Sequence, residues 1–306
     1  MVRVVSVAIS EKKGMKKTPV QEAVLVEGFG IEGDAHGGKW HRQVSLLAEE
    51  SINKMKAMGL DVSFGSFAEN ISTEGLELNK LPIGTLLKLG EDVLLSVSQI
   101  GKECHTRCAI YHQAGDCVMP KEGIFAYVLR GGTIKSGDSI EILDGLTAAV
   151  MTVSDKGSKG ERIDTAGPKI QVLLAELGIC TVETTTVPDD IEDIQNVLKD
   201  WINSGHDLIV TTGGTGLSKR DVTPEATLPL IEKQVPGIME AVRYHTGKIT
   251  DRAYLTRGMA GVAKDSLIIN LPGSEKAVEE SLEVISKFLV HGLDTLKGKA
   301  KDCGRK

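Results

Sequence analysis

The stretch that decides the fold of the second half of this chain reads TTGGTGLSKRD and spans residues 211–221. It follows a short apolar run at 208–210, and Thr223 and Pro224 come shortly after it. An apolar run of this length is typical of a buried strand in a parallel sheet. Threonine is a preferred N-cap and proline a preferred first helical residue, so Thr223 and Pro224 predict the start of a helix. The sequence therefore predicts a strand, a glycine-rich loop and a helix in succession.

This loop has the composition of a phosphate-binding turn. Gly213, Gly214 and Gly216 carry no Cβ, so their backbone N–H groups can approach a ligand closely. Ser218 stands where a Walker loop requires its second glycine, so the loop is of another class. The glycines alone fit an ordinary tight turn equally well. Hydroxyl and basic side chains in the same stretch favour anion binding; they are Thr211, Thr212, Thr215, Lys219 and Arg220.

Strand and helix patterns alternate around this loop. The strands are predicted at 147–153, 181–187, 208–212 and 266–271, and the helices at 169–177, 191–202, 224–233, 237–245 and 275–296. Such alternation predicts an α/β domain in which helices flank a mainly parallel sheet. In such sheets ligands bind outside the carboxyl ends of the strands.

Polar side chains follow each predicted strand of this sheet. Ser154 and Asp155 follow the first strand, Asp189 the second, the glycine loop the third, and Ser274 comes shortly after the fourth. Two carboxylates beside a phosphate cradle require a cation, and Mg²⁺ binds one or two carboxylates together with phosphate oxygens. Asp189 and Asp221 are the predicted ligands. The alternatives are that Asp189 caps the next helix and that Asp221 pairs with Arg220 or serves as a cap.

The second half resembles the MogA/MoaB molybdopterin-binding family. The resemblance is carried by the motifs at 153–155, 188–189, 211–216, 220–225 and 270–273. It implies a homotrimer formed through this domain and a reaction that requires Mg²⁺ and ATP. The terminal phosphate of molybdopterin attacks the α-phosphorus of ATP, which yields adenylated molybdopterin and pyrophosphate. The two functional aspartates of the family map onto Asp189 and Asp221, as catalytic and Mg²⁺-binding residues.

The remaining site residues divide into two groups. Thr212, Gly213, Gly214, Thr215 and Gly216 are assigned to phosphate binding, and Ser154, Asp155 and Ser274 to the border of the nucleotide or pterin. No nucleophilic side chain is needed, because transfer of this kind depends on positioning and charge neutralisation. The alternative function is a molybdopterin-binding carrier or scaffold without catalysis.

The first half, residues 1–144, is predicted to be mostly β-structure, with the second domain at 145–306. Strands are predicted at 2–9, 22–27, 40–47 and 139–143, with a helix at 49–58, a hairpin at 86–97 and a turn at 131–138. Many short strands separated by turns predict a barrel or a sandwich.

A cysteine-rich segment in this half carries candidate chemistry. Lys102, His105 and Arg107 surround Cys104, and nearby cations lower the pKa of a thiol. An inert buried cysteine is the simplest alternative. Zinc is a third, although the spacing lacks a CxxC pair; its ligands would be Cys104, Cys108, His112 and Cys117.

The first half resembles the MOSC domain, a module found at the C-terminus of molybdenum-cofactor sulfurases and in free-standing bacterial proteins. The matching motifs are at 33–36, 65–70, 83–84 and 98–104. The resemblance implies a β-barrel-like fold, and it implies that Cys104 carries sulfur or contacts the cofactor. Other cofactor-synthesis proteins are then expected partners, beside molybdopterin and ATP.

The composition excludes several classes of function. A net charge of −6 over 306 residues gives no support to nucleic-acid binding. No stretch of the length that spans a bilayer is continuously apolar, and no apolar core follows the lysines near the start, so membrane insertion and secretion are not expected. Five cysteines, an odd number, do not indicate a disulfide framework. The expected location is therefore the cytoplasm.

Overall fold

The protein is described by a computed structural model that covers residues 2–102 and 118–299. The chain divides into two compact units, residues 1–145 and residues 146–306. None of the helices in the described ranges is long and apolar enough to cross a membrane.

The first unit is built mainly from short strands. The strands are β1 (Arg3–Ile9), β2 (Thr18–Val20), β3 (Glu22–Val26), β4 (Gly30–Ile31), β5 (Val44–Ala48), β6 (Ile71–Glu74), β7 (Leu86–Leu89), β8 (Val93–Ile100), β9 (Ile124–Arg130), β10 (Gly132–Lys135) and β11 (Ile140–Leu143). Among the described residues of this unit, the α-helices are Glu49–Ala57 and Met119–Glu122, and Leu78–Lys80 forms a 3₁₀ helix. Eight strands form one sheet in the order β11-β7-β8-β9-β5-β6-β1-β2, and β10, β3 and β4 form a second.

The predicted barrel is not closed in the part of the chain that the structure describes. The two sides of the large sheet meet at an isolated bridge between Arg3 and Ser139. The backbone bonds from Val4 N to Asp138 O and from Ile140 N to Val2 O flank that bridge. Farther along β1, its edge pairs with β2, so a full ladder between β1 and β11 does not form.

Two local predictions in this unit also need correction. The strand predicted at 40–47 begins at Val44, because residues before it form turns in which Trp40 Nε1 donates to His36 O at 2.9 Å. The turn predicted at 131–138 contains β10, which pairs with β3. The sequence is rich in glycine there, and the pairing depends on a strand distant in the chain. The predicted helix and hairpin, by contrast, are present as Glu49–Ala57 and as the β7–β8 pair.

The second unit confirms the prediction of a mainly parallel sheet flanked by helices. Its strands are β12 (Leu146–Val153), β13 (Ile179–Val187), β14 (Leu208–Thr212), β15 (Lys233–Gln234), β16 (Ala260–Ala263) and β17 (Ser266–Leu271). They are ordered β13-β12-β14-β17-β16-β15. The pairs β12–β13, β12–β14 and β14–β17 are parallel, while β16 and β15 complete one edge in antiparallel pairing.

Helices cover both faces of this sheet, which explains why its central strands β14 and β17 are buried throughout. The α-helices are Asp155–Ser158, Ala166–Glu176, Ile191–Ser204, Thr223–Thr227, Pro236–Thr246 and Glu275–Leu296, and the 3₁₀ helices are Leu228–Leu230 and Asp251–Leu255. On one face Val150 and Val210 pack with Leu174 and Ile285. On the other face Met151 packs in a core with side chains of Ile191–Ser204.

The helix predicted at 224–233 is much shorter than expected. It spans Thr223–Thr227 and continues as the 3₁₀ helix Leu228–Leu230, after which the chain enters β15. Pro229 offers no N–H and its ring clashes with the carbonyl four residues back, so the α-helix ends. The N-cap is Val222 rather than Thr223, because the Thr223 hydroxyl donates instead to Gly213 O at 2.9 Å.

Candidate functional site

The carboxyl ends of the four parallel strands are level with one another. In register, Val153 of β12 lies opposite Val187 of β13, and Thr212 of β14 lies between Thr152 and Leu271. The residues that follow these strands therefore lie side by side at one edge of the sheet.

A cavity of about 360 Å³ opens at this edge. The predicted site residues in its lining are Ser154, Asp189, Thr212, Gly213, Gly214, Asp221 and Ser274. Asp155, Thr215 and Gly216 are outside the lining. A further wall, not predicted from the sequence, is formed by residues 162–166 and includes Ile163, whose residue surface is 86% exposed.

Backbone geometry at the start of the loop requires glycine. Gly213 and Gly214 have positive φ angles of 99° and 62°. A Cβ on Gly213 would overlap the carbonyl oxygen of Val153, and one on Gly214 would overlap the Thr223 hydroxyl. Thr223 also donates its backbone N–H to Gly214 O at 3.0 Å. The glycine pair thus lets the loop pass close to β12 while the following helix is tied to it.

Several hydroxyl groups near the loop form hydrogen bonds that connect the segments around the cavity. Thr212 Oγ1 donates to Pro272 O at 2.7 Å, and Asn270 Nδ2 donates to the Thr211 and Thr227 hydroxyls at 2.9 and 3.1 Å. Ser274 accepts from Ala277 N and caps the helix Glu275–Leu296. These groups fix the cavity walls, whichever ligand the cavity receives.

Asp155 and Asp189 form a reciprocal pair at the cavity edge. Asp189 Oδ2 accepts from Asp155 N at 2.8 Å, and Asp155 Oδ1 accepts from Asp189 N at 3.1 Å. Arg220 binds the Asp155 carboxylate through Nε and Nη2 at 3.0 and 2.7 Å. The neighbouring helix is capped by Asp190, whose Oδ1 accepts from Glu192 N and Asp193 N. Because Asp190 caps this helix, the alternative that Asp189 is the cap is wrong, and Asp189 lines the cavity.

Asp221 has a different partner from the one considered for it. Its Oδ2 accepts from Ser218 N at 2.7 Å, and Arg220 is engaged with Asp155. Asp221 therefore closes a local turn within the loop while it lines the same cavity as Asp189.

Negative charge is concentrated at this edge. Burial raises the pKa of Asp189, and the charges of Asp155 and Asp221 raise it further. The hydrogen bond from Arg220 lowers the pKa of Asp155, so that the latter remains ionised. A bound cation would relieve the repulsion that Asp189 experiences.

The donor set fits Mg²⁺ that is shared with a phosphate ligand. Asp189 and Asp221 each use Oδ2 for a backbone N–H, and the second oxygen of each is available for a cation. In the ranges that the structure covers, no group of three or more His, Cys, Asp or Glu side chains forms a ready metal cage. Mg²⁺ commonly binds in this manner, through one or two carboxylates with substrate phosphates and waters.

Asp164 is a cavity residue that the sequence reasoning missed. Its Oδ1 accepts from Ala166 N and Gly167 N, and its Oδ2 accepts from the Thr152 hydroxyl at 2.6 Å. It thereby fixes the start of the helix Ala166–Glu176 against β12. An acidic residue just before a helix containing an early proline, Pro168, was a signal that pointed to this position.

The first unit contains a buried charge cluster formed by Lys17 with Asp34 and His36 of the motif at 33–36. Lys17 Nζ donates to Asp34 Oδ2 at 2.5 Å and lies 3.2 Å from His36 Nδ1. Burial raises the pKa of Asp34, but hydrogen bonds from His36 and Lys17 outweigh it and hold this pKa well below its usual range. Glu69 is fully buried and accepts from Gly65 N and Phe67 N at 2.6 and 3.0 Å, so part of the motif supports the loop itself.

The predicted cysteine chemistry concerns residues that the structure does not describe. Cys104, Cys108, His112 and Cys117 lie outside the described residues, so the sulfur-carrier and zinc predictions remain predictions.

Comparison with known proteins identifies both halves. A family model described as the MOSC domain matches residues 32–141, and one described as a probable molybdopterin binding domain matches residues 149–291. The chain is 38% identical over 141 residues to a molybdopterin adenylyltransferase of Haemophilus influenzae, covering 45% of this chain and 72% of that protein. The corresponding enzyme of Pyrococcus furiosus is 40% identical over 148 residues, or 46% and 86% of the two chains.

A longer relative shares the same region. The molybdenum cofactor synthesis protein cinnamon of Drosophila melanogaster is 42% identical over 153 residues, which are 49% of this chain. The match covers 26% of the cinnamon protein. By these similarities, the chain belongs through its second unit to the MogA/MoaB-type molybdopterin-binding family, and its first unit carries a MOSC domain.

Proposed function

We propose that the second unit transfers the adenylyl group of ATP to molybdopterin. In this reaction an oxygen of the molybdopterin phosphate forms a bond to the α-phosphorus of ATP, and the bond from that phosphorus to pyrophosphate breaks. The observation that carries the proposal is that Asp189, Asp221 and Gly214 line one cavity at the carboxyl edge of the sheet. Relatives named molybdopterin adenylyltransferase, at 38% and 40% identity, support the same reaction.

Each group in the cavity has a defined task in this proposal. The backbone N–H groups of the loop at 213–216 bind phosphate oxygens, and Asp189 and Asp221 hold Mg²⁺. When bound, Mg²⁺ neutralises charge on the phosphates. Arg220 lies beside the site and neutralises the charge of Asp155 there. The nucleophile is supplied by the substrate, so the protein contributes position and electrostatic stabilisation.

The cavity walls beside the glycine loop are available to the ring system of a substrate. Ser154 and Ser274 border the cavity, and Ile163 presents an exposed apolar side chain at the wall formed by residues 162–166. We assign these residues to the border of the nucleotide or the pterin. A cavity of about 360 Å³ is within the usual size of small-molecule sites.

An assay with the full chain tests the activity directly. Purified protein is incubated with molybdopterin, ATP and Mg²⁺, and both pyrophosphate and adenylated molybdopterin are measured. The proposal predicts that the two products appear in equal amounts and that chelation of Mg²⁺ stops both. Binding of molybdopterin without pyrophosphate release would contradict the enzyme assignment and support a carrier or scaffold.

We further propose that the MOSC unit binds the cofactor or carries sulfur on Cys104. The resemblance of the first unit to MOSC domains supports this role. Mass spectrometry after incubation with a persulfide donor, which transfers its outer sulfur and leaves as a thiol, should find a persulfide on Cys104. Modification at Cys108 or Cys117 in its place would contradict the assignment.

We also propose that the chain assembles as a homotrimer through the second unit, as its family resemblance implies. Light scattering on the purified protein should give three times the chain mass of 32.8 kDa. A monomeric mass at micromolar concentration would contradict the trimer without bearing on the chemistry of the cavity.

A further inference from the structure

Arg257 contacts the glycine loop at several points although it lies far from it in sequence. Its backbone N donates to Thr215 O at 2.8 Å. Its guanidinium donates through Nε to Gly216 O at 2.7 Å and through Nη2 to Asp221 O at 2.6 Å. The remaining arm, Nη1, pairs with the carboxylate of Glu225 in the helix Thr223–Thr227. Arg257 therefore holds both ends of the segment 215–221, Thr215 through its backbone and Gly216 and Asp221 through its side chain.

The middle of that segment is exposed. Leu217 has 66% of its surface exposed, and residues 218–220 are also exposed. The two ends come close together, because a Cβ on Gly216 would lie 2.9 Å from Asp221 Oδ2. The position of the Asp221 carboxylate in the cavity thus depends on how firmly these ends are fixed.

We propose that Arg257 is the positioning residue that sets the Asp221 carboxylate at the distance from Asp189 that a shared cation requires. This inference rests on the proposed function, since it concerns the cation that the two aspartates hold. A guanidinium is planar and presents several N–H donors in a fixed arrangement, so it can bind two carbonyls and a carboxylate at once. A lysine at this position retains the charge but cannot reproduce that arrangement.

The alternative is that Arg257 only anchors its own segment to the body of the unit. Arg243 provides a matched control for this alternative. Its Nη1 donates to Gly258 O at 3.2 Å, so it holds the residue next to Arg257 without contacting the loop. Arg243→Lys weakens the anchoring of the segment, whereas Arg257→Lys weakens the hold on the loop as well.

The test measures Mn²⁺ binding to the full chain by electron paramagnetic resonance, in the presence of α,β-methylene-ATP. We expect Arg257→Lys to weaken Mn²⁺ binding about tenfold, the size usual for groups that support a metal ligand. Arg243→Lys should leave it within about twofold of the wild-type value, and thermal unfolding should show whether both variants remain folded. Equal losses in the two variants, or no loss in Arg257→Lys, would overturn the proposal.

A milder variant keeps the test decisive if Arg257→Lys does not fold. Glu225→Gln removes the charge that pairs with Arg257 Nη1 and leaves the guanidinium in place. The Glu225 side chain is 49% exposed. We expect Mn²⁺ binding to weaken only about threefold, because a partly exposed ion pair contributes little stabilisation. Unchanged binding in a folded Glu225→Gln protein, with Arg257→Lys unfolded, would count against the proposal.

Turnover separates this inference from the proposed function. For Arg257→Lys, the Mg²⁺ concentration that gives half-maximal rate should rise, while kcat at saturating Mg²⁺ recovers most of its value. A wild-type protein that binds Mn²⁺ with the nucleotide but forms no adenylated product would overturn the proposed function alone. A fully active Arg257→Lys with unchanged cation dependence would overturn the positioning role alone.

Discussion

Of the carboxylates at the edge of the parallel sheet, Asp155, Asp189 and Asp221 each have a different electrostatic setting. Asp155 is neutralised by Arg220, and Asp221 accepts from Ser218 N. The pKa of Asp189 is raised by burial and by its two acidic neighbours. Of the three, Asp189 therefore gains most from a cation in the cavity.

Adjacent aspartates allow this point to be tested with a matched pair. Asp189→Asn should lower turnover by about 100-fold, because the amide cannot replace a charged cation ligand. Asp190→Asn should leave turnover unchanged, since Asp190 caps a helix and asparagine caps equally well. The measurement is the rate of pyrophosphate release by each variant at saturating Mg²⁺. Equal rates in the two variants would remove Asp189 from its proposed role.

Site residues could be predicted from the sequence where they lie next to a recognisable motif. Asp189 and Asp221 directly follow recognisable motifs, and the structure brings both to one cavity. Arg257 could not be predicted, because its contacts with the loop arise only when the segment after the 3₁₀ helix Asp251–Leu255 folds back onto it. The pairing of Arg220 with Asp155 likewise depends on two strand ends that are distant in sequence.

The strand–loop–helix element owes its shape to two glycines in the left-handed region. Gly214→Ala should lower the free energy of unfolding by about 3 kcal/mol, because it combines an unfavourable φ with a clash against the Thr223 hydroxyl. Gly205→Ala is the control. Gly205 has a φ of 78°, and no atom lies within 4 Å of an added Cβ. Gly205→Ala should therefore lower the free energy of unfolding by only about 1 kcal/mol.

Urea unfolding followed by the fluorescence of Trp201, which is buried in the same unit, measures both variants. Equal decreases in the free energy of unfolding for Gly214→Ala and Gly205→Ala would mean that the loop shifts to accommodate the added Cβ. In that event the close contact with Thr223 does not fix the loop.

Strands and helices could be predicted from the sequence where their apolar pattern and their end residues are clear. The strands β14 and β17 and the helix Glu275–Leu296 have the predicted bounds, because long apolar periodicities and clear end signals define them. The strands β15 and β16 escaped prediction, since they have only two and four residues. β16 depends on pairing with β17, and the edge strand β15 depends on pairing with β16. The barrel-like fold expected for the first unit is not confirmed, since its large sheet shows no closed barrel in the described residues. Closure is set by strand register and not by local sequence.

At the scale of the whole molecule, the first unit has a buried ion pair that affects its stability. The side chains of Lys17 and Asp34 are each 1% exposed. Asp34→Asn leaves the ammonium without its charge partner, so the free energy of unfolding at pH 7 should fall by about 3 kcal/mol. Glu74→Gln is the control, since Glu74 forms an exposed pair with Arg3 and should contribute less than about 1 kcal/mol.

The same pair gives a pH dependence of defined sign. The folded pKa of Asp34 is lowered, so its stabilisation is complete above the unfolded pKa, about 4, and is lost as the pH falls through the folded value. Urea unfolding followed by Trp40 fluorescence should show wild-type stability declining below pH 4 more steeply than that of Asp34→Asn. Parallel pH profiles would show that Asp34 does not contribute in this way.

The central claim is that the carboxyl edge of the second unit gathers the glycine loop and two aspartates around the phosphates of a nucleotide and its cation. Anomalous scattering from Mn²⁺, in a crystal of the full chain with α,β-methylene-ATP and molybdopterin, tests it most directly. We expect a Mn²⁺ peak within about 2.3 Å of carboxylate oxygens of both Asp189 and Asp221, with phosphate oxygens at the N–H groups of Gly213 and Gly214. A Mn²⁺–nucleotide complex bound away from these two aspartates would contradict it.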